Sequence, residues 1–202
     1  MTRPVVILSA PRSGSSLTAG LFAAHGFWTG DCKPADRFNA KGYFENRMID
    51  DAITRLYPGR IYDRLEAMKP HPDWPEFIRG VHVWEGYRDG PWLVKSNSFT
   101  WPLWACLDPI FVFPRRDVAS VVRSAQRYFP LQYRQRSWER IVRAHHAEEQ
   151  KAKAQHGGFD IDTPRLLSGD YAQFRAALDA CGVAFDEKAA REFIDPGLWN
   201  AA

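Results

Sequence analysis

The first 26 residues carry the pattern that most constrains the fold. A short apolar run, Pro4–Ser9, is followed by the turn segment Ala10–Ser15, and apolar residues then recur at helical spacing at positions 17, 21 and 22. A continuous apolar run of this length is typical of a strand buried on both faces, as in a parallel sheet. The order strand, glycine-containing turn, helix predicts the opening unit of an α/β domain.

The same alternation continues along the chain. Further strands are predicted at Trp92–Ser96, Ile110–Phe113 and Phe159–Asp162. Helices are predicted at Phe44–Tyr57, Trp74–Ile78, 118–125, Arg136–Ala154, Tyr171–Cys181 and Glu187–Ile194. The Arg136–Ala154 helix is charged on most faces, which is typical of a surface helix. We therefore expect an α/β fold with a mainly parallel central sheet and helices on both faces.

Composition narrows the class of protein. A chain of 202 residues has the length of one domain, so we expect a single domain over residues 1–202. The 27 basic and 24 acidic residues are too balanced for a protein that binds nucleic-acid backbones or acidic membranes along its whole surface. Its three cysteines show no metal-ligand spacing, and no apolar stretch is long enough for a membrane span. These features favour a soluble, cytoplasmic protein.

The turn after the first strand is typical of a phosphate-binding loop. Backbone N–H groups there form an anion site at a helix N-terminus, Gly14 allows close approach of a ligand, and Ser15 and Ser16 offer hydroxyls. The loop departs from the nucleoside-triphosphate motif G-x-x-x-x-G-K-[ST], because Ser15 stands in place of the lysine. Arg12 supplies positive charge instead. The alternative is a turn whose serines only cap the next helix.

A second candidate anion site follows the predicted strand at residues 110–113. Arg115 and Arg116 leave the end of that strand, and Ser124 lies eight residues after Arg116 on the next helix. Eight residues are just over two helical turns, so the hydroxyl can share a face with the start of the helix. A guanidinium and a hydroxyl there could bind a phosphate. Alternatively, the arginines are solvated and Asp117 or Ser120 caps the helix.

Taken together, these motifs resemble those of the sulfotransferases that use 3′-phosphoadenosine 5′-phosphosulfate (PAPS). Pro11–Leu17 resembles the family's P-R-S-G-[ST]-[ST]-L loop, which holds the 5′-phosphosulfate, and Arg116 with Ser124 resembles its 3′-phosphate motif. Lys41–Asn46 is similar to a segment of bacterial members, and Lys95 lies in a strand like the family's central K-D-P-R strand. The resemblance implies a P-loop nucleotide-hydrolase-like three-layer sandwich. It also implies a set of cofactor-binding residues, namely Arg12, Ser13, Gly14, Ser15, Ser16, Leu17, Arg115 or Arg116, and Ser124.

The resemblance implies transfer of a sulfuryl group from PAPS to a hydroxyl or amine of a small-molecule or glycan acceptor, leaving 3′,5′-adenosine bisphosphate. Such transfer needs fixed positive charge, which Arg12 and Lys95 could supply without a metal ion. Glu45 is the predicted general base, and the alternative is a helix-start glutamate favoured by the helix dipole. The other candidate bases are His25, His82, His145 and His146, of which the last two are expected to be solvated.

Two other function classes remain open at this point. A nucleoside or small-molecule kinase would need a Mg²⁺-binding acid after a buried strand, and Asp117 is the only candidate. A non-catalytic nucleotide-binding protein would keep the loop without a working base. Segments 58–91 and 126–138 are rich in Trp, Tyr and Arg and are predicted to shape the acceptor pocket.

Overall fold

The computed structural model describes residues 2–57, 65–129, 137–195 and 197, and its described strands form one parallel sheet. The strand order is β2-β1-β3-β4. The strands are β1 (Val5–Ser9), β2 (Leu93–Asn97), β3 (Ile110–Arg115) and β4 (Phe159–Asp162). In register, Ile7 pairs with Lys95 on one side and Val112 on the other. Because all four strands are parallel, their carboxyl ends and the loops that follow lie at one edge of the sheet.

Helices cover both faces of this sheet. They are α1 (Ser15–Ala24), α2 (Arg47–Leu56), α3 (Trp74–Trp84), α4 (Trp101–Trp104), α5 (Val118–Tyr128), α6 (Trp138–His156), α7 (Thr163–Leu167), α8 (Ala172–Ala180) and α9 (Glu187–Phe193). Alternate residues of β1 belong to different cores, since Val5 and Ile7 pack with α1, α8 and α9. Val6 and Leu8 pack instead with α2, α3 and α4. The predicted three-layer α/β architecture is confirmed.

Each predicted strand is present, and β1 is wholly buried in the sheet interior. The strand predicted at Ile110–Phe113 extends through Pro114 to Arg115, because β3 also pairs with β4 at these two residues. The predicted helix at Phe44–Tyr57 begins later, at Arg47, because the side chain of Asn46 accepts a hydrogen bond from the Ile49 N–H and caps it.

The helix predicted at Arg136–Ala154 is present at the surface, but one face of it is buried rather than solvated. In the structure this helix is α6, and it packs against α5 and the sheet. Its buried residues follow helical spacing, but polar side chains interrupt the apolar stripe and hide it in the sequence. The buried set is Trp138, Ile141, Val142, His145, Glu148, Glu149 and Ala152.

Within residues 2–57, 65–129, 137–195 and 197, no helix combines the length and the apolar character that crossing a membrane requires.

Candidate functional site

The phosphate loop joins the end of β1 to the start of α1. Arg12 and Gly14 have positive φ angles of 68° and 93°, which turn successive N–H groups toward one side. Gly14 is the N-cap of α1 and offers no side-chain cap, and the first turn of α1 contains no acidic residue. The N–H groups at this helix end are therefore available to an anion, together with the positive end of the helix dipole.

The second predicted anion site converges on this loop. Arg12 Nε donates a hydrogen bond of 3.1 Å to Ser124 Oγ on α5, and Arg116 Nη1 approaches the Arg12 carbonyl oxygen at 3.4 Å. Burial and repulsion from Arg12 and Arg123 lower the pKa of Arg116, although Asp117 partly offsets this. Guanidinium groups stay charged at neutral pH, so this corner concentrates positive charge where an anion would stabilise it.

Of the two candidate arginines, the structure brings Arg116 to the cleft and directs Arg115 elsewhere. Arg115 forms ion pairs with Glu149 and with Asp160, the latter at 2.7 Å, beside β4. Arg116 contributes to the cleft wall. Arg115 therefore joins α6 to the end of the sheet, and only Arg116 is placed to contact a ligand together with Ser124.

Lys95 connects the loop to Glu45. Its side chain is 8% exposed, and its Nζ lies 3.1 Å from Ser16 Oγ, 2.8 Å from the Tyr43 carbonyl oxygen and 2.9 Å from Glu45 Oε1. Two residues that are 50 positions apart in sequence, Glu45 and Lys95, thus form an ion pair beside the start of α1. The predicted catalytic residues Glu45 and Lys95 are therefore adjacent, and both line the same cleft as Arg12.

A second lysine also holds Glu45. Lys33 Nζ lies 3.4 Å from Glu45 Oε2 and 2.5 Å from Asp50 Oδ2. Burial raises the pKa of Glu45, but attraction and hydrogen bonds from Lys95 and Lys33 outweigh burial and leave this pKa below its ordinary value. Because Asn46 is the N-cap of α2, Glu45 precedes the helix, and the first-turn role considered as an alternative does not apply.

One side of the cleft is formed by a loop whose contacts the sequence analysis missed. The hydroxyl of Tyr43 lies 2.9 Å from both carboxylate oxygens of Asp36, to which it donates, and 3.0 Å from the hydroxyl of Tyr128 on α5. The Tyr128 ring also stacks 4.5 Å from the guanidinium carbon of Arg12. Tyr128 is one helical turn beyond Ser124, so its position on the same face of α5 was available in the sequence.

These groups line a cleft of about 740 Å³, a size typical of pockets for small ligands and cofactors. All of the predicted site residues except Ser13, Arg115 and Ser124 contribute to its wall. Ser13 is buried and donates to the Ala10 carbonyl oxygen at 2.5 Å, which shapes the turn from within. Of the segments predicted to form an acceptor pocket, Tyr128 and Phe129 line the cleft, whereas no described residue of 65–91 does; 58–64 and 130–136 lie outside the described residues.

Comparison with known proteins bears on the fold. No protein-family model and no curated protein sequence matches the chain. Among solved structures, the sulfotransferase domain of the Synechococcus PCC 7002 olefin synthase is similar over 99% of this chain and 81% of its own, with a TM-score of 0.58 and 16% identity. The chain has a sulfotransferase fold. Sulfotransferase STF1 from Mycobacterium tuberculosis aligns over 96% of this chain and 70% of its own, with a TM-score of 0.47 and 12% identity.

Within this sulfotransferase fold the candidate histidines have different surroundings. His25 ends α1, where its Nδ1 lies 2.7 Å from the Leu21 carbonyl oxygen, and His82 packs against Trp92 and Tyr87. His145 and His146 were predicted to be solvated, and this is wrong. His145 is fully buried on the inner face of α6 and belongs to the cleft wall, while His146 is partly buried beside it.

Proposed function

We propose that this protein transfers a sulfuryl group from PAPS to a hydroxyl or amine of a small-molecule or glycan acceptor. The observation that carries the proposal is the hydrogen bond between Arg12 of the phosphate loop and Ser124 of α5. This bond joins the two predicted anion-binding motifs, which supports a ligand with two separate phosphate groups. The left-handed loop at Gly14 and the positively charged corner at Arg116 are the local features that suit such a ligand.

Each group in the cleft has a role in this proposal. The N–H groups of α1 and the hydroxyls of Ser15 and Ser16 would hold the 5′-phosphosulfate, and Arg116 with Ser124 would hold the 3′-phosphate. When bound, PAPS would supply an activated sulfuryl group whose S–O bond to the nucleotide breaks as a new S–O bond to a hydroxyl acceptor, or an S–N bond to an amine, forms. Lys95 and Arg12 are fixed cations that stabilise negative charge without reorganising, so the proposal requires no metal ion.

Glu45 is the proposed general base for the acceptor proton. It is adjacent to Lys95, and Lys95 in turn contacts Ser16 of the loop, so the carboxylate is near the place where the reacting groups would meet. Its lowered pKa keeps it ionised at neutral pH, which a base requires, but weakens its basicity. Close positioning against the acceptor would then supply most of its effect.

The kinase alternative is less well supported. Asp117, its only candidate metal ligand, is the N-cap of α5, and its Oδ1 accepts a hydrogen bond of 2.8 Å from the Ser120 N–H. This carboxylate is therefore engaged at the start of α5. In addition, no lysine follows Gly14 in the loop. A non-catalytic nucleotide-binding protein differs from the proposed enzyme only in lacking turnover, so the transfer assay below distinguishes them.

Calorimetry with two nucleotides tests the proposed donor site. We expect 3′,5′-adenosine bisphosphate to bind more tightly than adenosine 5′-phosphate, because only the bisphosphate engages Arg116 and Ser124. Arg12→Ala should weaken bisphosphate binding by about 1.5–3 kcal/mol, the value of a hydrogen bond to a charged group. Ser124→Ala should reduce the difference between the two nucleotides.

Arg123→Ala is the matched control for Arg12→Ala. Arg123 is an exposed arginine on α5, the helix that carries Ser124, and its Nη2 donates a hydrogen bond of 2.9 Å to Ser120 Oγ. It removes the same charge and should change the affinity little. Equal affinity for the two nucleotides would overturn the assignment of Arg116 and Ser124. Release of 3′,5′-adenosine bisphosphate from PAPS only in the presence of an acceptor panel would then support an enzyme over a binding protein.

A further inference from the structure

Glu149 on α6 is a buried carboxylate that contacts the start of the phosphate loop. Its side chain is fully buried, its Oε1 accepts a hydrogen bond of 2.7 Å from Ser98 Oγ, and its Oε2 pairs with Arg115 Nη1. The backbone N–H of Ala10 also donates to this carboxylate. One side chain of α6 thus binds a backbone group, a hydroxyl and a guanidinium from three separate segments of the chain.

The three partners of Glu149 come from the carboxyl ends of three neighbouring strands. Ala10 directly follows β1, Ser98 directly follows β2, and Arg115 is the last residue of β3. These strands are adjacent in the sheet, in the order β2-β1-β3. Glu149 therefore connects the strand ends on which the candidate site is built, and it does so without contributing to the cleft wall.

Ala10 begins the phosphate loop, and both of its backbone polar groups are bound. Its N–H donates to Glu149, and its carbonyl oxygen accepts from Ser13 Oγ at 2.5 Å. The next residue, Pro11, has no N–H. The Ala10 N–H is therefore the last backbone donor before Arg12, whose left-handed φ of 68° belongs to the turn toward the anion site. The position of Ala10 sets the direction in which this turn leaves the sheet.

Stability alone does not account for a carboxylate at this position. Replacing a buried ion pair by apolar residues of similar volume is often neutral for the stability of a protein. An apolar side chain at position 149 could not accept from the Ala10 N–H, however, and a buried N–H without a partner costs free energy. The carboxylate supplies an acceptor for the loop, and Ser98 and Arg115 hold that acceptor in place.

The ionisation of Glu149 can be followed separately from that of its neighbours. Burial raises its pKa to about 7, although attraction from Arg115 opposes this rise. Its partners after β1 and β2 are uncharged, while β3, β4 and α6 bring charged or titratable groups near it. These groups are Arg115, Asp160, Lys153, His145 and His146. Burial lowers the pKa of both histidines below 6.5, so a titration with a midpoint near pH 7 is assigned to Glu149.

We propose that Glu149 is a positioning residue of the phosphate loop. By accepting from the Ala10 N–H while Ser98 and Arg115 hold its carboxylate, it fixes the start of the turn that presents the loop N–H groups to an anion. It acts through Ala10 and contacts neither nucleotide nor acceptor. This inference rests on the proposed function for the identity of that anion, and it assigns Arg115 to holding Glu149 rather than to the ligand.

The Ala10 amide of the native protein gives a direct test. Labelling serine carbonyl carbons with ¹³C and alanine nitrogens with ¹⁵N selects the two Ser–Ala peptide bonds of the chain, whose amides are those of Ala10 and Ala125. A hydrogen bond to an ionised acceptor is the stronger one, so the Ala10 amide proton should move upfield as the carboxylate is protonated, with a midpoint near pH 7. This transition should vanish in Glu149→Gln and persist in Glu148→Gln.

The affinity for 3′,5′-adenosine bisphosphate, measured by calorimetry, tests the consequence for the loop. Glu149→Gln keeps a carbonyl oxygen for the Ala10 N–H, whereas Glu149→Leu has a similar volume and the same charge but no acceptor. We expect Glu149→Leu to bind the bisphosphate about tenfold more weakly than Glu149→Gln, the value of one net hydrogen bond. Arg115 keeps its ion pair with Asp160 in both variants, so the comparison isolates the contact with Ala10.

Glu148→Leu and Glu148→Gln are the matched controls. Glu148 is the neighbouring carboxylate of α6, its side chain is 5% exposed, and it accepts from Trp101 Nε1 at 2.9 Å and pairs with Lys151 at 2.6 Å. These two variants should bind the bisphosphate equally.

An Ala10 amide that does not titrate near pH 7, or that still does so in Glu149→Gln, overturns the proposal. Equal affinities of Glu149→Leu and Glu149→Gln for the bisphosphate also overturn it. If Glu149→Leu does not fold, the Ala10 titration in the native protein decides the question. Failure of the native protein to bind the bisphosphate would overturn the proposed function, and the Ala10 titration would still decide whether Glu149 holds the loop.

Discussion

At the scale of single residues, the pKa of Glu45 depends on its contacts with two lysines. Two ammonium groups, of Lys95 and Lys33, hold its carboxylate and keep its pKa low. If Glu45 takes the acceptor proton, Glu45→Gln should reduce turnover by roughly 10²–10⁴, the usual contribution of a general base. Nucleotide affinity should change little, since the amide still fits beside Lys95. Calorimetry and steady-state rates on one verified acceptor measure both quantities.

The variant Lys33→Met tests whether Glu45 acts as a base or only as a structural carboxylate. Removing this cation removes one cause of the low pKa of Glu45, so the pKa should rise toward its ordinary value of 4.5. The acidic limb of the pH–rate profile should then move to higher pH. A profile that stays in place in Lys33→Met, with turnover lost in Glu45→Gln, would mean that Glu45 only orients Lys95.

At the scale of elements, the glycines at the two ends of α1 share a backbone conformation but differ in their surroundings. Gly14 before it and Gly26 after it both have left-handed φ angles, 93° and 86°. A Cβ on Gly14 would lie 2.7 Å from Thr163 Cγ2 at the start of α7, whereas a Cβ on Gly26 would meet nothing within 4 Å. Gly26→Ala should therefore cost about 1–2 kcal/mol of stability from backbone strain alone.

Gly14→Ala should cost more than Gly26→Ala, because α7 or the loop must also move. That movement disturbs the loop N–H groups, so bisphosphate binding should be lost in Gly14→Ala and kept in Gly26→Ala. Urea unfolding gives the two stabilities and calorimetry the affinities. Similar losses in both variants would mean that the contact with Thr163 does not fix the loop.

The sequence predicted those elements whose burial is uniform. The strand at Val5–Ser9 is buried throughout and apolar up to Leu8, and the loop after it has a recognisable composition, so both were predictable from local pattern. The helix α6 was found but placed on the surface, because its buried stripe includes His145 and Glu149. Those side chains lie inside only because other elements contact them: Ser98 donates to Glu149 at 2.7 Å, and Arg115 pairs with it.

In the candidate site, too, the local motifs were predictable from the sequence and the long-range contacts were not. Each anion motif lies within one strand–loop–helix unit, so its residues could be read locally. The contacts of Lys33, Asp36 and Tyr43 depend instead on a loop with no period of its own, folded against α2 and α5. Long-range placement of this kind leaves no pattern in a single sequence.

At the scale of the whole molecule, buried titratable groups make stability depend on pH. Burial lowers the pKa of His145 to about 3 and that of His82 to about 4, from 6.5. Burial raises the pKa of Glu149 from 4.5 to about 7 despite Arg115. Between pH 4.5 and 6.5 the unfolded chain therefore protonates both histidines and ionises Glu149, while the folded protein does the reverse.

Unfolding in that range takes up two protons at His82 and His145 and releases one at Glu149, and His146, whose pKa burial also lowers, adds to the uptake, so the net uptake is at least one. Stability should thus rise with pH by at least about 1.4 kcal/mol per unit over part of the range from pH 4.5 to 6.5 and level off above pH 7. His82→Phe removes one of these histidines and should make the dependence less steep, whereas Glu149→Gln should make it steeper at a lower overall stability. Urea unfolding at half-unit pH intervals measures these slopes. A wild-type stability independent of pH over this range would mean that these histidines and Glu149 are solvated or paired in the folded protein, and an unchanged slope in His82→Phe would remove His82 from the account.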